Sequence, residues 1–365
     1  MDERLRGDLP LQPRRDLRPL PDHRRTAGPV RPTRAGAGGA GRHPSHLRTD
    51  PGQPAPAWPG RRPVHEPGPG QHPDHPRAVG ANALVHATLV DPGDHVVAVV
   101  PTYQQHYSIP DSYGARVDLL TLREENGWLP DLDELDHLVT PDTKLIAVND
   151  PNNPTGALID EAGLSRIAKT ADQVGAWVLC DEVYRGVDQD GDGFTASIAD
   201  LYERGISTGS MSKPFSLAGL RLGWIAGLTT LLRAVATHRD YTTISVGRVD
   251  DLLACVALEN KDAVLARSHH ITRTNLAILD EWVSSRNDIT YVKPASGTTA
   301  LLRYHAPIGS YEFCTRLLQE TGVMFTPGAA FDIEHTVRIG FADDTETLRT
   351  GLKLVGQFLD QLTQA

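Results

Sequence analysis

From residue 80 onward the sequence predicts an α/β fold: a mostly parallel sheet sandwiched by helices, then a smaller α+β C-terminal domain. Two observations predict it. Short runs that are apolar at nearly every position recur along the chain, and segments with a single apolar helical face lie between several of them. Strands apolar at every position suit a parallel sheet covered on both sides, whereas a sheet with one wet face would alternate.

Taken in order, residues 81–90 read as a helix. Asp91, Pro92, Gly93 and Asp94 supply turn chemistry before an apolar strand at 96–100. Further strands follow at 117–122, 145–148, 176–180, 206–208 and 222–226. Between them, Leu164, Ile167, Ala168, Ala171 and Val174 fall on one face of a helix over 163–174. A long helix is predicted over 261–285, and two more over 311–321 and 345–361. The expected division is a large domain at 80–270 and a small one at 271–365.

The first 79 residues have a different texture. They hold 16 of the 27 prolines and no Ile, Phe or Tyr, so they have little to bury and few regular donors. They also hold 14 Arg, no Lys and 8 acidic residues, a net +6, which leaves −16 of the total −10 in 80–365. Prolines and scattered acids break up any continuous basic surface, so a nucleic-acid partner is not expected. The abrupt change near Gly80 marks 1–79 as a disordered or out-of-frame segment, since a GC-rich reading frame translated out of register yields these residue types. No apolar run approaches the roughly 20 residues that span a bilayer. Cys180, Cys255 and Cys314 lie too far apart for a metal motif or a disulfide framework, and a cytoplasmic location is expected.

In a doubly covered parallel sheet, ligands bind beyond the carboxyl ends of the strands. The chemically singular residues fall there. Tyr103 follows 96–100, Asn149 to Gly156 (NDPNNPTG) follow 145–148, Asp181 and Glu182 follow 176–180, and Lys213 comes shortly after 206–208. NDPNNPTG, DEVY at 181–184, SMSKPFSLAGLRLGW at 210–224 and VRIGFA at 337–342, in that order, resemble the motif set of fold-type I pyridoxal-phosphate aminotransferases, the class I/II enzymes of the aspartate aminotransferase superfamily. The resemblance runs from about Gly80 to the C-terminus.

It implies a role for each residue. Lys213 bonds the cofactor and then, as a free amine, moves a proton between the substrate Cα and cofactor C4′. Asp181 pairs with the protonated pyridine nitrogen, and Asn153 and Tyr184 bond the phenolic oxygen. Tyr103 stacks on the ring. Ser210 and Arg221 hold the phosphate, helped by backbone N–H groups of Gly80, Ala81 and Asn82 at the opening of the first helix. Arg338 takes the substrate α-carboxylate, beside Asn153. The implied activity is amino transfer between an amino acid and a 2-oxo acid, in a homodimer. β-Elimination, or oxidation or cyclisation of arginine on the same scaffold, is the alternative.

Competing patterns are weaker. Ser210 to Lys213 match S-x-x-K, but no S-D-N or K-T-G follows. Asp188 to Gly193 resemble the start of a calcium loop, yet Ala199 stands where the bidentate Glu belongs. His269 and His270 have no carboxylate or cysteine at ligand spacing, and no helix-turn-helix supports a DNA-linked sensor. Two residues depart from the family pattern: Asp150, where a neutral residue is common, and Pro214, which removes a backbone donor beside the lysine.

Overall fold

The computed structural model describes residues 74, 75 and 77–364. Strand β1 (Asp74–His75) leads into α1 (Arg77–Leu89), β2 (His95–Val100), α2 (Gln105–Ser112), β3 (Arg116–Thr121), α3 (Leu132–Leu138), β4 (Thr143–Asn149), α4 (Glu161–Val174), β5 (Trp177–Asp181), α5 (Ile198–Leu201), β6 (Gly205–Ser210) and β7 (Gly223–Ala226). These seven strands form one sheet in the order β1-β7-β6-β5-β4-β2-β3. Strands β3, β2, β4, β5 and β6 are parallel neighbours, β7 runs antiparallel beside β6, and β1 lies antiparallel to β7 at the edge opposite β3.

Successive residues on these strands enter different cores. On β5, Val178 and Cys180 pack on one face with α4, and Leu179 packs on the other with α1. This is why the strands read as unbroken apolar runs. Helix α4 buries the predicted face through Leu164, Ile167, Ala168 and Ala171. It starts at an Asp160 cap that accepts the Gly163 N–H at 2.7 Å, and it stops at Gly175, whose φ of 71° suits a glycine.

Helices α6 (Thr229–Asp240), α7 (Arg248–Glu259) and α8 (Lys261–Ser284) follow, then β8 (Ile289–Tyr291), β9 (Thr299–Tyr304), α9 (Ser310–Thr321), β10 (Thr326–Pro327), β11 (Thr336–Gly340) and α10 (Thr345–Gln364). The last four strands form an antiparallel sheet in the order β10-β11-β9-β8, packed on α8, α9 and α10. Helix α8 passes from one core to the other. Its Leu265 packs with Met211 and Phe215, and its Leu276, Leu279 and Val283 pack under the second sheet.

The predicted parallel sheet and all six predicted strands are present. Two expectations change. Regular structure is present upstream of Gly80: β1 pairs with β7, and α1 starts at Arg77, four residues before the expected helix. No acidic residue marks that first turn, so the sequence lacks the usual start signal there. The expectation for the rest of 1–79 lies outside the described residues. Strands β8 to β11 also went unpredicted: β8 and β10 are only three and two residues long, and Arg303 in β9 and Arg338 in β11 interrupt their apolar runs.

Candidate active site

Going outward from β2, the chain places β3 on one side and β4 on the other, so the strand order switches between β2 and β4. Loops after strands on either side of such a switch diverge and leave a crevice. The predicted residues gather on that rim. Asp181 ends β5 and pairs across from Asn149 on β4 and is adjacent to Thr208 on β6. Ser210 ends β6, and Lys213 follows in the next turn.

The Asp181 carboxylate is 5 % exposed and tightly held. Its Oδ2 accepts from Asn82 Nδ2 at 2.7 Å and lies 3.4 Å from His106 Nε2, and its Oδ1 accepts the Val183 N–H at 3.0 Å. Asn82 is fixed in turn: its Oδ1 accepts from Thr208 Oγ1 at 2.6 Å, and its Nδ2 also donates to Gln105 Oε1 at 3.1 Å. The Asn149 amide donates to the Asp181 carbonyl at 2.8 Å, and its Oδ1 accepts the Asn153 N–H at 2.8 Å. The aspartate and the NDPNNPTG loop are therefore locked together.

Asn153 Oδ1 accepts from Arg338 Nη1 at 2.9 Å, which joins the loop to β11 of the second sheet. Arg338 Nη2 donates to Thr326 Oγ1 at 3.1 Å, and its guanidinium lies 5.4 Å from the Phe331 ring centre. Lys213 Nζ lies 5.3 Å from the Tyr184 ring centre, and the tyrosine is 4 % exposed. Gly297, at φ 82°, lies against that ring. Tyr103 sits at the end of β2 but is 44 % exposed.

The opening of α1 differs from expectation. Only the first four N–H groups of a helix lack an internal acceptor. The Arg77 N–H is spent on the Arg221 carbonyl at 3.0 Å, which leaves Ala78, Val79 and Gly80. Ala81 and Asn82 lie inside the helix, and the Asn82 side chain serves Asp181 instead. The helix start is still beside the predicted phosphate residues. Gly223 pairs with Ser210, and a Cβ at Gly223 would lie 2.5 Å from Arg77 C and 2.7 Å from Ala78 N, so only glycine lets the helix approach. Arg221 adopts φ 54° and donates from Nη1 to the Ala218 carbonyl at 2.7 Å.

The remaining sequence features find structural roles. Asp150 accepts the Ile159 N–H at 2.7 Å, and burial pushes its carboxyl well above the usual range, so the acid serves as a buried loop clasp. Pro214 packs near Gly186. In the calcium-like turn the carbonyls of Asp188, Asp190 and Gly191 accept from Arg273 Nη2, and a guanidinium thus sits on the loop. His269 Nε2 lies 2.9 Å from the Gly186 carbonyl.

Asp188 itself accepts from Ser296 Oγ at 2.6 Å, and burial pushes its carboxyl up to about 6. The folded chain then binds this proton more tightly than the unfolded chain. Stability falls as pH rises from about 4 to about 6, and the cost stays in place above that. Asp188→Asn is expected to raise the melting temperature at pH 7.5, by about 1–3 kcal/mol in stability, and to change little at pH 4. Equal shifts in thermal scans at both pH values would refute the titration.

Sequence reasoning missed His106, Gln105, Thr208 and the side-chain role of Asn82. Each is a common residue on an ordinary helix or strand, and only the tertiary register aims it at Asp181.

The aminotransferase class I and II family model matches residues 78–354. Among curated relatives, capreomycidine synthase of Streptomyces vinaceus is 33% identical over 267 residues, covering 73% of this chain and 68% of that protein. The probable aspartate/prephenate aminotransferase of Thermus aquaticus is 30% identical over 277 residues, covering 74% and 71%. Among solved structures, a PLP-dependent aminotransferase from Streptococcus suis superimposes with a TM-score of 0.78 at 43% identity, covering 81% of this chain and 78% of that one.

Proposed function

Since the chain belongs to the class I and II aminotransferases, enzymes that use pyridoxal phosphate to move an amino group between an amino acid and a 2-oxo acid, we propose that Lys213, Asp181, Tyr184, Asn153 and Arg338 carry that reaction here. The observation that supports this most is the setting of Asp181. A carboxylate offers about four acceptor positions, and Asn82, His106 and Val183 use three, which leaves one for a ring N–H. Lys213 follows the adjacent strand, and Ser210, Arg221 and the free N–H groups of α1 suit a phosphate. This donor set fits the cofactor at both ends.

When bound, the cofactor supplies an electron sink for the charge left at the substrate Cα. The chain supplies the rest. Lys213 Nζ anchors the cofactor and, once released as an amine, takes the proton from the substrate Cα. Asp181 is placed to face the ring nitrogen, in a buried setting where a charge pair is poorly screened. Arg338, oriented by Asn153 and Thr326, presents its fork to the α-carboxylate. Tyr184 packs beside the lysine, its ring centre 5.3 Å from Nζ.

The two sheets correspond to a large and a small domain, with the boundary inside α8. A homodimer is supported by α7, where Val249, Leu252, Leu253 and Val256 are 47–69% exposed while Ala254 and Ala257 pack near Phe215. A second copy would cover that apolar face. No described helix is long and apolar enough to cross a membrane.

Purified protein given a panel of amino acids with pyruvate or 2-oxoglutarate should form alanine or glutamate. The similarity to capreomycidine synthase supports a second reading, in which the same residues lead to cyclisation or elimination. Consumption of the amino acid with no amino transfer to either acceptor would favour that reading. Arg338→Ala is expected to raise KM for every amino acid tested by about 30-fold or more, from the roughly 2–5 kcal/mol lost with one partner of a desolvated pair. Loss of affinity for a single substrate would make Arg338 a side-chain selector instead.

A further inference from the structure

Alternate residues on β9 take opposite sides of the second sheet. Ala300, Leu302 and Tyr304 pack among α8, α9 and α10, while Leu301 packs in a core of the first sheet with Val148, Leu164 and Trp128. Arg303 falls on the Leu301 side. Across the strand pair, Arg338 on β11 stands opposite Leu301, and Thr336 stands opposite Arg303. Directly paired residues share a face, so Arg303 and Arg338 are diagonal neighbours on the face turned toward the first sheet.

Arg303 has a partner there. Its Nε and Nη2 both donate to Glu124 Oε2, at 2.8 and 2.7 Å. Glu124 lies in the loop from β3 to α3, in a single turn of 3-10 helix (Glu124–Asn126). That loop is itself held in place. Arg123 Nη1 donates to Glu134 Oε2 on α3 at 2.7 Å, the Trp128 N–H donates to the Arg123 carbonyl at 2.9 Å, and the Trp128 side chain is buried in the same core as Leu301.

We propose that Glu124 and Arg303 are positioning residues for the substrate α-carboxylate: their ion pair seats the inner face of the second sheet on the β3–α3 loop, and so sets where Arg338 stands relative to Asp181 and Lys213. This rests on the reading of Arg338 as the carboxylate's partner. The mechanics follow from where β9 is attached. Just before the strand, the Ala295 and Ser296 N–H groups donate to the Gly156 carbonyl at 2.9 and 3.0 Å. Arg303 lies about 13 Å beyond Thr299, at roughly 3.3 Å per residue. Burial of Leu301 opposes separation of the two sheets, but an apolar contact has no direction. Attached only at residues 295 and 296, the sheet is free to pivot there. A second polar attachment near the far end of the strand stops that rotation. Arg338 rides on the neighbouring strand, and a two-pronged contact with a carboxylate tolerates little displacement. The side chains of Arg303 and Glu124 are 33% and 30% exposed, so the pair is partly screened and its effect is modest.

Glu124→Gln and Arg303→Gln, each in the cofactor-loaded full chain, should raise KM for every amino acid and 2-oxo acid by about threefold with kcat unchanged, the scale of a partly exposed ion pair. The double variant should be no worse than either single one. Both arginine donors converge on one oxygen, so a lysine ammonium can replace them, and Arg303→Lys should keep KM near wild type. In about 1 M salt, where the screening length falls to about 3 Å, the gap between wild type and the glutamine variants should close. Two readouts need no turnover. Binding of 2-methylalanine, which has no Cα proton to lose, should weaken by the same factor in calorimetry, and hydrogen exchange should quicken in peptides covering 299–304 and 123–129. Unchanged KM and unchanged 2-methylalanine binding in both glutamine variants would overturn the proposal. Additive losses in the double variant would overturn it too, as would an Arg303→Lys variant no better than Arg303→Gln. If the glutamine variants bind 2-methylalanine more weakly than wild type but none of these proteins transfers an amino group, the aminotransferase reading fails and the positioning role stands.

Discussion

Lys213→Ala is expected to abolish amino transfer, a loss of at least about 10⁴ in kcat, because one side chain both anchors the cofactor and moves the proton. The position of the lysine singles it out. From Gly80 to the C-terminus there are six lysines: Lys144, Lys169, Lys213, Lys261, Lys293 and Lys353. Lys144 is the second residue of β4 and so lies at the opposite end of the sheet from the rim. Lys169 lies on the solvent side of α4, and Lys293 is engaged with Asp280 at 2.6 Å. Lys261 opens α8, and Lys353 lies within α10. Only Lys213 follows a parallel strand next to the one that ends in Asp181. Borohydride reduction of the loaded enzyme followed by peptide mapping should place the pyridoxyl group on Lys213. A label on Lys144 or Lys169 would end the assignment. The alanine variant retains the phosphate contacts of Ser210, Arg221 and the start of α1, so some noncovalent cofactor binding is expected even as turnover disappears.

How much of this was readable beforehand follows from which forces act locally. The central strands were legible because burial on both faces forces every residue to be apolar, as in the runs around Val96 to Val99 and Leu145 to Val148. Lys213, Asp181 and Arg338 were legible as motifs, since their chemistry fixes residue type and neighbours. The start of α1 was not, because its first turn sits at Gly223 and Arg221, more than a hundred residues away, and carries no cap of its own. The same holds for His106 and Thr208. Their effect on Asp181 depends on which strand lies beside which, and no local pattern encodes that. Asp150 shows the reverse case. It looked like a departure next to the site, and the structure makes it a buried clasp on Ile159.

Asp181→Asn is expected to retain cofactor and lose about 10²–10³ in kcat, corresponding to roughly 3–4 kcal/mol of charge stabilisation removed from a desolvated site. The amide is nearly the same size, so packing is kept, but it cannot hold a positive ring nitrogen. It also turns one acceptor oxygen into an NH₂ donor. Whichever way that amide points, its NH₂ meets donors already in place: Asn82 Nδ2 and His106 Nε2 on one side, or the Val183 N–H on the other. A modest drop in melting temperature is therefore expected as well, from about 1–3 kcal/mol of unsatisfied donors. The neighbouring acid offers no substitute. Successive residues at a strand end point to opposite faces, and Glu182 spends its carboxylate on Ser197 Oγ at 2.8 Å and the Ile198 N–H at 3.0 Å. Steady-state kinetics and a thermal scan of the same preparation separate the two effects. A variant with near-wild-type kcat would mean that another group holds the ring nitrogen. A variant that loses kcat and KM together with its fold would show that the Asn82 and Val183 contacts matter more than the charge.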